Sequence, residues 1–285
     1  MKNSITYISF KIISKFFCII PRKLSIFFAK NLGLLIYFIL PQRKKVAKIN
    51  LSIAFPNKTS IEINNIIKKN YQHYMILFID FLRQKKININ DIYLDVNTKK
   101  ILSNKQGLIF MTAHIGNWEM LLPILSKHKK TTAIVKTQRN LGGDKFVSEL
   151  RTFNNITLLP MNSSKRKMIQ ALIDGEILAL ASDQNAGNKG ARALFFGKET
   201  SVPKGAAYFY HKTKCPIAIG FCILNKDYTY KFKLEKINIK RNPENIDNLF
   251  IEVNTIFTKL LENQIKKCPE QYFWFHRKWD RNIYK

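Results

Sequence analysis

The segment LIFMTAHIGNWEMLLPIL, residues 108–125, decides the fold of this chain. Its first four residues are apolar and polar residues follow shortly after them, a pattern that is typical of a short buried strand. Residues 117–127 have the pattern of a helix, and Gly116 permits the tight turn between the two elements. The segment therefore predicts a strand–turn–helix corner, with His114 at the end of the strand and Glu119 in the first turn of the helix.

Apolar runs on both sides of this corner predict an alternation of strands and helices. The predicted strands cover residues 131–137, 156–160, 176–183, 215–224 and 228–237. Further helices are predicted at residues 143–153, 165–174, 203–213 and 245–266, and another runs from a capping box at Thr59 and Glu62 to about Arg83. Such alternation is typical of an α/β fold, here with a mixed central sheet and helices on both of its faces.

Two of the predicted strands end in polar side chains, His114 and Asp183. In open α/β sheets, binding sites form beyond the carboxyl ends of the strands. A histidine becomes an effective general base when a carboxylate holds one ring nitrogen and stabilises the imidazolium. Glu119 is expected to be that carboxylate, because the turn at Gly116 can bring the side chains of His114 and Glu119 to the same opening of the site. The ordinary alternative is a glutamate that starts a helix beside a histidine that caps a turn.

The first 50 residues contain ten Lys or Arg and no Asp or Glu. Residues 4–20 place apolar side chains on one face of a helix and lysines on another, the pattern of a helix that lies in a membrane interface. Residues 24–40 form a second apolar helix, near the lower length limit for a bilayer span. The two helices predict a membrane-associated hairpin or anchor at residues 1–45 and a globular domain at residues 46–285. A single-span anchor, and a helix pair that covers the core of a soluble domain, are the alternatives.

The composition of the 285 residues restricts the partners that the protein can have. There are 48 Lys and Arg against 19 Asp and Glu, a formal net charge of +29. This charge favours an anionic membrane, an acidic protein or nucleic acid. A non-catalytic nucleic-acid-binding protein is one alternative, but the sequence has no recognised motif of that kind, so no nucleic-acid partner is expected. The four cysteines lack metal-site and disulfide patterns, which indicates reduced packing thiols in a cytosolic compartment.

Several separated segments resemble one enzyme family. The sequence AHIGNWE, residues 113–119, resembles the H-x4-[DE] motif of the glycerolipid acyltransferase superfamily. Nearly the whole chain more closely resembles the late acyltransferases of lipid A biosynthesis, the lauroyl/myristoyl transferase family. The other matching segments are PQRKKVAKINLSIAFP (41–56), DKFVSELR (144–151), SDQNAGNKGARALFFGKETSVPKG (182–205) and PEQYFWFHRKWD (269–280). One departure is VKTQRN, residues 135–140, where either Lys136 or Arg139 takes the place of the family's arginine.

The resemblance implies a glycerol-phosphate-acyltransferase-like fold and the transfer of a fatty acyl chain from acyl carrier protein to a hydroxyl of a Kdo-bearing lipid A precursor. It also implies a location at the cytoplasmic face of the bacterial inner membrane, with acyl carrier protein, the lipid A precursor and membrane phospholipids as partners. A related acyltransferase that acts on a lysophospholipid or a glycolipid is the alternative. An acyl thioester is already activated, so no cofactor or metal is expected.

The resemblance assigns catalysis to His114 as the general base and to Glu119 as the residue that orients it. The residues expected to bind substrate are Asn117, Arg151, Asp183 and Gln184. Asp183 is expected either to hold Arg151 or to shape the acceptor site. The developing oxyanion needs donors, and these are either backbone amides near Gly116 and Asn117 or the guanidinium of Arg151.

Overall fold

The computed structural model describes residues 2–240 and 245–285 of the chain. The α-helices are α1 (Lys2–Ile19), α2 (Arg22–Ile39), α3 (Pro41–Ala54), α4 (Ser60–Leu82), α5 (Val96–Ser103), α6 (Leu121–His128), α7 (Leu141–Arg151), α8 (Lys165–Ile173), α9 (Gly205–Thr213) and α10 (Ile246–Lys267). The strands are β1 (Tyr93–Leu94), β2 (Leu108–Thr112), β3 (Thr131–Val135), β4 (Ile156–Pro160), β5 (Ile177–Ala181), β6 (Ala191–Phe195), β7 (Lys198–Val202), β8 (Ile217–Leu224) and β9 (Tyr230–Lys236). A 3-10 turn, Trp118–Met120, leads directly into α6.

In the described part of the chain seven strands form the central sheet, in the order β1-β9-β8-β2-β5-β3-β4. Every neighbouring pair in it is parallel except β8 and β9, which are antiparallel. The predicted mixed sheet is therefore confirmed. The remaining two strands, β6 and β7, form a separate antiparallel hairpin.

The register of β2 and β5 brings two of the predicted site residues together. Thr112, the last residue of β2, lies opposite Ala181, the last residue of β5. His114 and Asp183 each follow two residues later in the chain. Because the two strands are parallel, both residues lie at the same edge of the sheet, beyond its carboxyl ends, as the sequence predicts.

Apolar layers cover both faces of the sheet. Leu108 and Phe110 of β2 belong to a buried cluster with residues of α2, α5 and α6. Ile109 and Met111 point to the opposite face, where α8, α9 and α10 contribute to a second cluster. Side chains alternate along a strand, so a strand that is apolar at successive positions must be covered on both sides. The expectation of helices on both faces is confirmed.

The two N-terminal helices pack against the rest of the protein. The buried face of α2 lies along α4, and a Cβ on Gly33 would be 2.6 Å from the Cα of Gln72, so only glycine allows this close approach. Arg22, at the start of α2, forms an ion pair of 2.7 Å with the buried Asp80 of α4. Helix α1 packs mainly on α7. The division of the chain at residue 45 stays a prediction.

The outer faces of α1 and α2 are exposed and apolar. On α1 the side chains that are 51–75% exposed are Ile5, Ile8, Ile12, Phe16 and Ile19. On α2 those that are 50–69% exposed are Leu24, Phe27, Leu35, Phe38 and Ile39. Among the described helices none is by itself long and apolar enough to cross a bilayer, whereas Arg22–Ile39 and Arg43–Ala54, bent by 96°, satisfy length and composition as a pair.

Each helix and strand predicted from the sequence corresponds to an observed element, but five elements were not predicted. These are α3, α5, β1 and the hairpin of β6 and β7. In α3 the buried apolar stripe consists of Ala47, Leu51 and Ala54, and alanine gives little hydrophobic signal beside a run of basic residues. The hairpin alternates buried and exposed residues, but it too buries mainly alanines along β6.

Candidate active site

Backbone hydrogen bonds fix the corner between β2 and α6. The N–H of Gly116 donates to the carbonyl of Gln271 at 3.0 Å, and the N–H of Asn117 donates to the carbonyl of Cys222 at 2.7 Å. Gly116 has φ +62°, and a Cβ there would lie 2.0 Å from the Cys222 oxygen, so the turn requires glycine. Because both amides are already engaged, neither is free to bind an oxyanion. Arg151, the other donor predicted, stays a prediction.

His114 is hydrogen-bonded to Asp183, with Nδ1 and Oδ1 2.8 Å apart. The expected partner was Glu119, and the structure corrects this: the parallel register of β2 and β5 delivers Asp183 to the imidazole instead. The His114 side chain is 22% exposed and that of Asp183 4%. Within the described part of the chain the other ring nitrogen, Nε2, has no hydrogen-bond partner.

The buried pair stabilises the charged states that a general base needs. Burial alone would raise the pKa of Asp183, but the charge and hydrogen bonds of His114 and the charge of Lys278 hold it at about 2. Burial also lowers the pKa of His114, and the charge and hydrogen bond of Asp183 outweigh this and raise the pKa above its ordinary value. Asp183 is therefore ionised at physiological pH and favours the imidazolium that forms when His114 takes a proton.

Glu119 binds Arg151 in a bidentate ion pair. The Nε and Nη2 atoms of Arg151 lie 2.8 Å and 2.6 Å from the two carboxylate oxygens of Glu119. Trp118 also donates its indole N–H to this carboxylate at 3.1 Å. Glu119 is the middle residue of the 3-10 turn Trp118–Met120, and its side chain reaches Arg151 at the end of α7 and not His114. The expectation that Asp183 holds Arg151 is likewise wrong, because the two carboxylates have exchanged their predicted partners.

Arg151 nonetheless lies close enough to His114 to affect its protonation. Its charge lowers the pKa of His114, while the charge of Glu119 raises it, although burial and Asp183 have the larger effects. The side chain of Arg151 is 21% exposed and that of Glu119 10%. A guanidinium that is fixed by one carboxylate and still partly open is suited to bind an anionic oxygen.

The buried side chain of Lys278 contacts the backbone of Asp183. The ammonium of Lys278 donates to the backbone carbonyl of Asp183, and burial lowers the pKa of this lysine to about 8 against the opposing charge of Asp183. The backbone N–H of Lys278 donates to the Tyr284 hydroxyl at 2.9 Å, and that hydroxyl donates to Asn50 at 2.5 Å. The segments around Asn50 and Lys278 were identified by resemblance. The sequence did not indicate that hydrogen bonds connect both of them to Asp183.

The other predicted substrate-binding residues differ in accessibility. Asn117 is fully buried, its Nδ2 donating to Tyr230 at 3.0 Å and its Oδ1 accepting from the Met120 N–H at 3.3 Å. Its amide therefore supports the corner, and the substrate contact predicted for it is not available in this arrangement. Gln184 is exposed beside Asp183, so its predicted contact stays a prediction. Lys136 and Arg139 are both exposed after β3.

Two aromatic rings lie beside the imidazole of His114. The ring centroids of Trp118 and Phe273 lie 5.1 Å and 6.2 Å from that of the imidazole.

Burial raises the pKa of the Cys222 thiol, so this thiol is not activated as a nucleophile. In the described residues no group of three or more His, Cys, Asp or Glu is arranged to hold a metal ion.

The chain is similar to known acyltransferases over most of its length. Residues 4–281 match the family of bacterial lipid A biosynthesis acyltransferases. The lipid A biosynthesis palmitoleoyltransferase of Escherichia coli (strain K12) is 21% identical over 270 residues, which are 91% of this chain and 86% of that protein. A lipid A biosynthesis acyltransferase of Shigella flexneri has the same identity and coverage.

Among solved structures, the 1-acyl-sn-glycerophosphate acyltransferase of Thermotoga maritima matches with a TM-score of 0.38 and 13% identity, covering 84% of this chain and 96% of that one. The assignment of the chain depends on the family match, which extends through the strand–turn–helix corner and the C-terminal aromatic segment. The protein described here therefore belongs to the bacterial lipid A biosynthesis acyltransferases.

Proposed function

We propose that the protein transfers a fatty acyl chain from acyl carrier protein to a hydroxyl of a Kdo-bearing lipid A precursor, as a late O-acyltransferase of this pathway. The observation that carries the proposal is the His114–Asp183 pair, whose Nε2 has no hydrogen-bond partner among the described residues, together with Arg151, whose charge acts on the pKa of His114. Acyl transfer to a hydroxyl requires a base for the hydroxyl proton and a group that stabilises the oxyanion, and a cation can be that group.

The reaction proceeds through one addition and one elimination. Nε2 of His114 takes the proton of the acceptor hydroxyl as its oxygen attacks the thioester carbonyl. Arg151 stabilises the resulting oxyanion, since the amides of Gly116 and Asn117 are engaged elsewhere. The carbon–sulfur bond then breaks, and the imidazolium returns the proton to the leaving thiolate. The ester is formed without a covalent enzyme intermediate, and the activated thioester makes a metal unnecessary.

Acyl carrier protein is the donor that fits the charge of the chain. A protein with a formal net charge of +29 attracts an acidic carrier at long range and raises the rate of encounter. The location proposed is the cytoplasmic face of the inner membrane, with residues 1–45 as the membrane-associated part and residues 46–285 as the acyltransferase part. Because α2 packs along α4, the two parts are expected to fold together.

The decisive experiment measures the product. Purified protein, acyl carrier protein loaded with a fatty acid, and a Kdo-bearing lipid A precursor should give an O-acylated lipid that mass spectrometry detects, and the rate should fall as salt rises because screening weakens the encounter. Lipid A from cells with and without the gene should differ by the same acyl group. Transfer to a lysophospholipid or a glycolipid, but not to the lipid A precursor, would refute the proposal, and a preference for acyl coenzyme A would refute the donor.

Membrane binding is expected to depend on the exposed apolar faces of α1 and α2. Ile12 and Phe27 are 65% and 62% exposed, and burying such side chains in lipid contributes roughly 1.5–3 kcal/mol each at full burial. The double variant Ile12→Gln and Phe27→Gln should bind vesicles with anionic phospholipids at least about tenfold more weakly in co-sedimentation. The matched control is Ile173→Gln, since Ile173 is 65% exposed on α8. Equal loss in the control would assign the binding to surface hydrophobicity in general and refute the role of these helices.

A further inference from the structure

A cavity of ≈ 350 Å³ lies between the bend that joins α2 to α3 and the C-terminal segment after α10. Its lining residues are Leu40, Arg43, Tyr71, Phe273, Phe275 and His276. Phe273 also contacts the catalytic base, with ring centroids 6.2 Å apart, so one aromatic side chain connects the cavity to His114. The cavity is therefore a neighbour of the reaction site, on the side of the N-terminal helices.

The walls are apolar and carry two groups that can bind an anion. The ring of Phe275 packs on those of Tyr71 and Phe273, with centroid distances of 4.7 Å and 5.6 Å. Arg43 donates from Nη1 to the Phe275 carbonyl at 3.3 Å, which holds its guanidinium at the rim. None of the six lining residues is acidic. Such a lining suits an amphiphile with a negatively charged group.

His276 is the second of these groups. Its Nε2 is buried and has no hydrogen-bond partner in residues 2–240 and 245–285. A buried ring nitrogen without a partner costs free energy, and a ligand oxygen is one way to satisfy it. Burial lowers the pKa of His276 against the opposing charge of Asp183, so the ring is neutral at neutral pH and one nitrogen carries a donor proton.

The start of α3 adds an independent indication of an anion. Leu40, the N-cap residue, lies at the cavity and provides no side-chain cap, and the first turn of α3 contains no acidic residue. Arg43, Lys44 and Lys45 follow instead. The N-terminus of a helix is its positive end, where carboxylates stabilise and cations destabilise. A bound anion would relieve the repulsion among these groups.

We infer that this cavity binds the acidic headgroup of the lipid acceptor, a phosphate or a sugar carboxylate, through Arg43 and His276. The apolar part of the acceptor lies against the aromatic walls, and its hydroxyl is delivered past Phe273 to His114. Phe38 and Ile39, 69% and 60% exposed beside Leu40, place the rim on the face proposed to contact the membrane, so the headgroup enters from the lipid surface. This inference rests on the proposed function and specifies its acceptor site.

The test compares acceptors that differ in which acidic groups they carry. KM is measured for the intact lipid A precursor, for a phosphatase-treated form, and for a form whose carboxylates are esterified. Arg43→Gln and His276→Phe should each raise KM for the intact acceptor, about tenfold for Arg43→Gln because a charge-assisted hydrogen bond is lost. The variants should no longer raise KM when the acceptor lacks the group that the cavity binds. Loss of the effect with the phosphatase-treated form identifies a phosphate, and loss with the esterified form identifies a carboxylate. Arg43→Lys should restore part of the affinity.

Two controls separate this inference from the function on which it rests. Lys48→Gln removes an exposed cation from the same helix, away from the cavity, and should leave KM unchanged. Binding of the intact acceptor to His114→Ala protein, with and without Arg43→Gln, needs no turnover and should show the same difference in affinity. Unchanged acceptor KM and binding in Arg43→Gln, an equal effect with all three acceptors, or a change in donor KM instead, would each overturn the inference. Absence of transfer by the wild type, with binding still dependent on Arg43, would refute the proposed reaction alone.

Discussion

His114→Ala is expected to lower kcat by about 10²–10⁴-fold, the usual cost of losing a general base. The fold should be retained, because the side chain is 22% exposed and is not part of the buried apolar clusters of the described residues. Asp183→Asn should cause a loss of comparable size. An amide in place of the carboxylate neither stabilises the imidazolium nor fixes the proton on Nδ1, so Nε2 is no longer the accepting nitrogen.

The double variant tests whether the two residues act as one unit. His114→Ala combined with Asp183→Asn should be little slower than His114→Ala alone, since Asp183 acts through the imidazole. Acyl transfer from acyl carrier protein gives kcat, and thermal melts exclude unfolding. If the two losses multiplied instead, Asp183 would have a function of its own and the pair would not be the base. Near-normal turnover by folded His114→Ala would refute the mechanism.

The pH dependence provides a second measure of the same pair. His114 acts as a base only when it is neutral, and Asp183 raises its pKa above the ordinary value of 6.5, with burial acting in the opposite direction. The acidic limb of kcat/KM should therefore lie above that value in the wild type. Asp183→Asn removes the carboxylate charge that raises the pKa of His114. The acidic limb of kcat/KM should therefore move to lower pH, and the plateau value of kcat/KM should fall. A limb that does not move would mean that Asp183 does not set the protonation of His114.

The Glu119–Arg151 pair is expected to give the second-largest effect. Arg151→Gln removes the proposed oxyanion donor, and loss of one such donor costs about 10²–10³-fold in kcat. It also leaves Glu119 as an unpaired carboxylate that is 10% exposed, and breaking a buried ion pair in this way costs roughly 3–5 kcal/mol of folding stability. The partial exposure of Arg151 places the expected cost below that range. Single-turnover kinetics and thermal melts measure the two effects separately.

Variants of the same pair distinguish catalysis from support. Arg151→Lys keeps the charge but cannot bind Glu119 through two parallel hydrogen bonds, so it should retain more activity than Arg151→Gln. Glu119→Gln should reduce kcat less than Arg151→Gln, because it displaces the guanidinium without removing it. Arg192→Gln breaks an exposed ion pair with Glu199 and should change neither kcat nor folding stability. If Glu119→Gln were instead as damaging as His114→Ala with normal stability, Glu119 would act directly on the base.

The amino-acid sequence determined the frame of the site. The apolar run of β2, the turn at Gly116 and the start of the following helix are local features, and local features are what periodicity and turn chemistry reveal. They were sufficient to place His114 at the carboxyl edge of an α/β sheet. Periodicity did not reveal α3 and β6, because these elements bury mainly alanines and alanine gives little hydrophobic signal.

The tertiary structure decided which groups meet at that edge. Glu119 is five residues from His114 in the chain, and Asp183 is 69 residues away, yet Asp183 is the hydrogen-bonded partner. The pairing depends on β2 and β5 being parallel neighbours with Thr112 opposite Ala181, a long-range register that no local pattern encodes. Glu119 instead binds Arg151, the last residue of α7 and 32 residues away in the chain, so this pairing too depends on tertiary structure. Proximity in sequence predicted the wrong hydrogen-bond partner for His114, since parallel strands bring together residues whose separation along the chain is set by the crossover between them.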